Sequence, residues 1–96
     1  MRPFEGIKVI DLTHVLAGPF CAYQLAVLGA EVIKVEPPDL PDQAREGGSD
    51  KALNRRRMGT LYLAQGANKR SLVLDLKREA GREVLRRLAA GADVLV

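Results

Sequence analysis

The fold is decided by the stretch EVIKVE at residues 31–36, which alternates apolar and charged residues with the two-residue period of a β-strand. Pro37-Pro38 follows at once, and two prolines in a row end either a strand or a helix. The stretch IKVIDL at residues 7–12 predicts an earlier, buried strand. Between the two strands, the apolar run at residues 20–28 predicts a buried helix that ends at Gly29.

The second half of the sequence repeats this order of elements. Residues 71–75 predict a third strand, residues 78–90 an amphipathic helix on the surface, and residues 93–96 a fourth strand. Residues 38–59 lack a sustained period and are interpreted as a long loop, with a turn of helix near Leu53.

Alternating strands and helices are typical of an α/β protein with a parallel sheet and crossover helices. We therefore predict a Rossmann-like fold, with residues 1–96 as the amino-terminal part of one large domain and no complete second domain. A buried parallel strand needs neighbours on both sides, so we expect the sheet to be incomplete after the fourth strand.

Composition narrows the class of protein. Hydrophobic residues make up 47% and charged residues 28% of the sequence, which is typical of a globular chain. No apolar stretch approaches the roughly 20 residues of a membrane span, so we expect a cytoplasmic protein without a membrane partner. The single cysteine, Cys21, excludes an internal disulfide and is interpreted as a small buried apolar residue.

The charge balance favours a small anionic ligand over nucleic acid. The sequence contains 15 Lys and Arg against 12 Asp and Glu, for a formal net charge of +3. Its few aromatic residues are not interleaved with the basic ones, as a surface that stacks nucleic-acid bases would require. The basic run at residues 55–57 is either a solvated surface or a contact for ligand phosphates.

The candidate site follows from the topology, because ligands of open α/β sheets bind outside the carboxyl ends of the strands. Here the loops that start at Thr13, Pro37 and Leu76 should meet at that edge. Gly18-Pro19 at the start of the first helix either admits an anion to free backbone N–H groups or only turns the chain. His14, the only histidine, is either a hydrogen-bond donor or proton carrier for a substrate or a structural residue.

Two other kinds of site are disfavoured. Glu36 ends the second strand, where a dinucleotide-binding fold places an acid against the ribose, but the G-x-G-x-x-G spacing is missing. No cluster of histidines and cysteines has metal-ligand spacing, so we expect no metal.

Three stretches, at residues 6–20, 28–36 and 68–77, closely resemble the class III CoA-transferases of the CaiB/BaiF type. This family includes formyl-CoA transferase, carnitine CoA-transferase and α-methylacyl-CoA racemase. The resemblance implies an enzyme in which an aspartate attacks an acyl-CoA and CoA passes, through an aspartyl-CoA thioester, to a carboxylic acid acceptor. It also implies coenzyme A as the ligand and an interlaced homodimer.

The resemblance assigns site residues one by one. The backbone around Leu16 and Ala17 would line the CoA site, and Lys77 would contact phosphate or ribose. His14 corresponds to a histidine beside the active site. The third CoA-binding segment comprises Leu74, Asp75, Leu76 and Lys77.

The sequence departs from the family pattern at Leu16, where a polar residue is common, and at Pro37, where an arginine is common. Asp11, Asp75 and Asp93 do not match the family nucleophile. We therefore expect residues 1–96 to contain no catalytic residue, to be inactive alone, and to aggregate or fold only partly in isolation.

Two alternatives stay open on the sequence alone. The racemase members share these motifs but remove a proton from the α-carbon instead of transferring CoA. A non-catalytic module that binds CoA or complements a partner chain would also carry these motifs.

Overall fold

The computed structural model describes residues 1–96 and contains a parallel sheet of four strands in the order β3-β2-β1-β4. The strands are β1 (Lys8–Asp11), β2 (Glu31–Glu36), β3 (Lys69–Val73) and β4 (Val94–Leu95). The predicted α/β class with a parallel sheet is confirmed, and β2 has the predicted bounds.

Four α-helices and one 3-10 helix connect the strands. They are α1 (Ala17–Val27), the 3-10 helix (Gln43–Glu46), α2 (Lys51–Arg55), α3 (Thr60–Gly66) and α4 (Glu79–Ala90). The 3-10 helix and α2 lie within the predicted loop, and α2 is the helical turn expected near Leu53. Helix α3 was not predicted, because its seven residues are too few to display a helical period.

The core lies between α1 and the sheet. Val9 and Val32 of neighbouring strands are buried against Ala22 and Ala26 of α1, and Ala30 completes this cluster. Alanines on the inner face of α1 let the helix approach the strands closely, so few large side chains are needed to fill the space.

Helix α1 is less buried than its apolar sequence predicts. Its buried residues are Pro19, Ala22 and Ala26, whereas Phe20 and Val27 are 51% and 44% exposed. Cys21 is also exposed, so its interpretation as a buried residue is wrong. The cause is geometric, since only the sides of α1 that face the strands and α3 are covered.

Strand β3 begins and ends two residues earlier than predicted. Parallel pairing aligns Lys69 with Val32 and Val73 with Glu36, which leaves Asp75 in the loop that follows. The shift arises because Lys69, a charged residue that the pattern places outside the strand, is held in the sheet by a buried ion pair with Asp11.

Helix α4 lies on the surface, as its amphipathic pattern predicts, and none of its residues is buried. None of the helices combines the length and apolar composition needed to cross a membrane. The cellular location stays a prediction.

Candidate functional site

A crevice of about 410 Å³ lies at the carboxyl ends of the strands. Leu12 and His14 line it after β1, residues 37–40 after β2, and residues 75–77 after β3, while Val35 contributes from within β2. The three loops therefore meet as the topology predicts. The volume of the crevice falls within the roughly 300–1,000 Å³ typical of ligand pockets.

Asp75 fixes the third loop of the crevice. Its carboxylate accepts a hydrogen bond from the Lys77 backbone N–H at 3.0 Å and lies 3.6 Å from the Arg78 guanidinium. A Cβ on Gly81 would lie 2.1 Å from the Asp75 carbonyl oxygen, so glycine is required for α4 to pass this close. The side chain of Lys77 is exposed at the rim.

The first loop contains a strained turn. The Leu16 N–H donates to the His14 carbonyl oxygen at 3.1 Å, and the residue between them, Val15, has φ of 71°. A hydrogen bond between residues two apart with a positive central φ defines a rare form of the γ-turn. Valine is β-branched and seldom adopts positive φ, so other contacts must hold this turn in place.

Asp42, just beyond the second loop, supplies one of those contacts. Its Oδ1 accepts a hydrogen bond from the Val15 N–H at 2.9 Å, and its Oδ2 lies 2.6 Å from the Lys34 ammonium. The same ammonium donates to the Thr13 carbonyl oxygen at 3.2 Å. The side chains of Lys34 and Asp42 are only 2% and 1% exposed, so the first loop rests on a buried ion pair.

Glu36 anchors the chain that leads to the 3-10 helix. Its two carboxylate oxygens accept from the Arg45 guanidinium at 2.9 and 2.6 Å, and one of them also accepts from the Asp42 N–H at 2.8 Å. The guanidinium lies over the Tyr62 ring, 3.9 Å from its centroid, and donates to the Tyr62 hydroxyl at 2.7 Å. Glu36 is therefore fully engaged within the protein and is not available to a ribose, which argues against a dinucleotide site.

Asp11 forms a further buried pair. It lies 2.9 Å from the Lys69 ammonium, which also donates to the Pro19 carbonyl oxygen at 3.0 Å. Its other oxygen accepts from the backbone N–H and the hydroxyl of Thr13. A Cβ on Gly18 would clash with the Thr13 side chain, so this glycine lets the start of α1 approach the loop after β1 closely.

The model of CoA-transferase family III matches residues 4–96. The chain belongs to this family. The resemblance carried by the three sequence stretches is thus confirmed.

Curated members of family III are similar over nearly the whole chain. Human succinyl-CoA:glutarate CoA-transferase is 43% identical over 96 residues, which cover 100% of this chain and 21% of the relative. Formyl-CoA:oxalate CoA-transferase of Bradyrhizobium sp. is 42% identical, with 99% and 22% covered. The chain therefore spans about a fifth of the length of these relatives.

Solved structures agree with the fold. A hypothetical protein from Mycobacterium tuberculosis superposes with a TM-score of 0.84 at 37% identity, covering 99% of this chain and 25% of that one. A CaiB/BaiF family protein from Brucella suis gives a TM-score of 0.83 at 39% identity, covering 98% and 25%. The sheet and helices described above are therefore those of a family III protein.

The structure brings together some of the residues that the resemblance assigned to the CoA site. His14 and the segment Asp75, Leu76 and Lys77 line the same crevice. Leu16 and Ala17 are exposed at the start of α1, beside the crevice but outside its lining. Leu74 is also outside the lining, and its N–H donates to the Glu36 carbonyl oxygen. The CoA-binding roles of all these residues stay predictions.

A second crevice of about 490 Å³ adjoins the first and shares His14, Asp39 and Leu40 with it. Arg45 and Arg57 line this space, with Glu46 close by. The Arg57 guanidinium lies 3.9 Å from the Glu46 carboxylate and is exposed, as are Arg55 and Arg56. No three His, Cys, Asp or Glu side chains are grouped as metal ligands.

The electrostatics of the buried carboxylates follow from their partners. Burial opposes the ionisation of Asp42, but hydrogen bonds from Lys34, Ala44 and Val15 outweigh it and hold the pKa of Asp42 below its usual value. Burial likewise opposes ionisation of Glu36, and the Arg45 guanidinium together with the Asp42 N–H keeps the pKa of Glu36 low. Both groups are therefore charged near neutral pH.

Sequence reasoning missed the residues that support the crevice. Lys34, Asp42, Arg45 and Lys69 bear charges that the composition suggests are solvated, yet each is tied to a carboxylate or ammonium within the protein. One signal was available, since Lys34 shares a strand face with the buried Val32. No signal in the sequence identifies which acid pairs with which base.

Proposed function

We propose that residues 1–96 form part of the CoA-binding site of an acyl-CoA:carboxylate CoA-transferase. The observation that carries this proposal is the convergence of His14 and residues 75–77, from separate loops, in one crevice of a family III chain. The named relatives support the reaction type, because their names describe transfer of CoA between carboxylic acids.

The crevice suits the different parts of CoA. Leu12 and Val35 offer apolar surface to the uncharged portion of the ligand. The exposed Lys77 ammonium at the rim contacts a phosphate or ribose oxygen, and the backbone of residues 74–76 and of residues 16–17 lines the path of the ligand. His14 lies next to the reacting thioester as a hydrogen-bond donor.

The proposed chemistry is nucleophilic catalysis by a carboxylate. An aspartate oxygen attacks the thioester carbonyl carbon, and the CoA thiolate leaves to give a mixed anhydride. The thiolate then attacks the aspartyl carbonyl and releases the first carboxylic acid. The acceptor carboxylate then attacks the aspartyl-CoA thioester and displaces the CoA thiolate. The thiolate attacks the acceptor acyl carbon of the new anhydride, which forms the product thioester and frees the aspartate.

Asp11, Asp42, Asp75 and Asp93 are not proposed as that nucleophile. Asp11 and Asp42 are buried in ion pairs, which removes them from any substrate. Asp75 is held by its own loop, and Asp93 accepts from the Lys8 N–H at the opposite end of the sheet. The nucleophile, the acceptor site and the interlaced homodimer belong to the proposal for the whole protein.

Calorimetric titration of CoA into the full-length protein tests the proposal, with Lys77→Ala as the diagnostic variant. Loss of a charge-assisted contact with phosphate is expected to weaken binding roughly ten- to a hundredfold. The matched control is Lys51→Ala, which removes an exposed lysine on α2 away from the crevice and should leave CoA affinity unchanged. A folded wild-type protein that binds no CoA would overturn the proposal.

A second measurement separates transfer from racemisation. Full-length protein supplied with succinyl-CoA and glutarate is expected to form glutaryl-CoA and succinate. A racemase-type enzyme would instead exchange the α-proton of a branched acyl-CoA with deuterated water and give no transfer. Exchange without transfer across a range of acceptors would favour the racemase alternative.

A further inference from the structure

The γ-turn at Val15 is held by groups that are remote in sequence. Its N–H is bonded to Asp42, which lies 27 residues further along the chain, and the preceding Thr13 carbonyl is bonded to Lys34 of β2. Lys34 and Asp42 are themselves joined at 2.6 Å. One buried ion pair is therefore hydrogen-bonded to the backbone on both sides of His14.

The Val15 turn joins a residue of the crevice to the start of α1. His14 lines the crevice, and Leu16, at the other end of the turn, is the residue immediately before α1. A valine at φ of 71° favours other conformations when it is not constrained. Without the hydrogen bond that the Val15 N–H donates to Asp42, the turn would relax and move His14 and the start of α1 from their positions.

Asp42 is suited to this task because it is itself immobile. Its Oδ1 also accepts from the Ala44 N–H at 2.9 Å, and its own N–H donates to the buried Glu36 carboxylate. Glu36 is in turn fixed by Arg45, whose guanidinium is stacked on Tyr62. The anchor thus runs from the turn through Asp42 to the end of β2 without an exposed link.

We propose that Asp42, paired with Lys34, is a positioning residue that holds the Val15 turn so that His14 lines the CoA crevice and the Leu16 backbone stays beside it at the start of α1. Asp42 touches no ligand in this assignment and acts through the turn. The inference rests on the proposed function, because it takes CoA to be the occupant of the crevice.

The central test is the CoA dissociation constant of the full-length protein with Asp42→Ala. If the relaxed turn is correctly formed in only about a tenth of the molecules, the dissociation constant rises about tenfold. In a Lys34→Met background, Asp42→Asn is the conservative variant, because its amide oxygen can still accept from Val15 and its amide nitrogen no longer faces the Lys34 ammonium, and it is expected to recover much of the affinity. Folding is checked separately by circular dichroism at the temperature of the titration.

The variant Val15→Gly distinguishes positioning of the turn by Asp42 from a purely structural role of Asp42. Glycine adopts positive φ without steric penalty, so the turn needs less support from Asp42. The loss of CoA affinity caused by Asp42→Ala is therefore expected to be smaller in a Val15→Gly background than in the wild-type background. Equal losses in the two backgrounds would overturn the proposal, as would a folded Asp42→Ala protein with wild-type affinity.

A second variant and a ligand-free measurement cover the case in which Asp42→Ala does not fold. If the unpaired Lys34 ammonium prevents Asp42→Ala from folding, the double variant Lys34→Met/Asp42→Ala removes both buried charges and is used in its place. The hydrogen-exchange rate of the Val15 amide reports on the turn without any ligand. This rate is expected to rise at least tenfold in Asp42→Ala and in the double variant. Wild-type protein that binds no CoA would refute the proposed function, whereas unchanged exchange at Val15 would refute the positioning role itself.

Discussion

The two ends of β2 carry the same kind of ion pair in opposite surroundings. At the amino end, Glu31 lies 3.3 Å from Arg70, and both side chains are exposed. At the carboxyl end, Glu36 lies 2.6 Å from Arg45, and the carboxylate is 2% exposed. Water competes for the first pair, whereas the second has every carboxylate oxygen bonded inside the protein.

The difference shows where the molecule uses charge to define structure. At the carboxyl ends of the strands, buried ion pairs tie down loops whose backbones have few partners in the sheet. Away from that edge, ion pairs lie on the surface, as in the ladder of glutamates and arginines along α4: Glu79, Arg82, Glu83, Arg86 and Arg87. The three buried pairs lie behind the loops that form the crevice, and the pair at the crevice itself, Asp75 with Arg78, is exposed.

The largest expected effect comes from removing the buried carboxylate. Glu36→Ala leaves the Arg45 guanidinium without its carboxylate and the Asp42 N–H without an acceptor, so it should lower the local free energy of unfolding by about 3–5 kcal/mol. Hydrogen exchange of the β2 amides in the full-length protein measures this loss at the strand concerned.

Glu31→Ala in the same strand is the matched control. Its partner stays in water, so the same amides should lose no more than about 1 kcal/mol. Equal losses for the two variants would show that burial does not distinguish the two ends of β2.

Much of this architecture could be predicted because it follows from local pattern. The alternation of residues 31–36 and the stop at Pro37-Pro38 define β2, and the order of strands and helices defines a parallel sheet. The crevice then follows from topology alone, since the carboxyl ends of parallel strands share one edge.

The support of the crevice could not be predicted, because it depends on contacts between distant residues. Lys34 and Glu36 alternate with Val35, which is also the pattern of a strand with one solvated face. Helix α1 covers this face at Val32, and the chain that folds back after β2 places Asp42 and Arg45 against Lys34 and Glu36. The period of a strand shows which residues share a face but not what covers that face.

A smaller effect is expected from acid, which protonates the buried carboxylates but leaves their side chains in place. The folded pKa values of Glu36 and Asp42 are below their usual values, which apply in the unfolded chain. At pH values between the folded and the unfolded pKa, the unfolded state therefore binds more protons than the folded state, and the free energy of unfolding rises with pH. The stabilisation should be complete above about pH 5 and decline as the pH falls through the folded pKa values.

Hydrogen exchange at the β2 amides between pH 3 and pH 6, corrected for the intrinsic pH dependence of exchange, measures this slope. Glu36→Ala should flatten it, because one of the two titrating groups is gone. A slope that is the same in wild-type protein and in this variant would assign the acid sensitivity to other carboxylates.

The smallest effect is expected on α4, where Glu79→Gln removes the carboxylate at the start of the surface ladder. Hydrogen bonds from Arg86 and then Arg82 hold the pKa of Glu79 below its usual value, but no residue of this helix is buried. Salt at about 1 M screens charges beyond roughly 3 Å, so it should return the pKa of Glu79 towards its usual value while the pKa of Glu36 stays low.

Titration by carbon-detected NMR at low and high salt compares the two carboxylates in one sample, and the thermal midpoint of Glu79→Gln should match that of the wild type. A pKa of Glu79 that resists salt would mean that the ladder is shielded from water in the full-length protein, and α4 would then resemble the carboxyl end of the sheet.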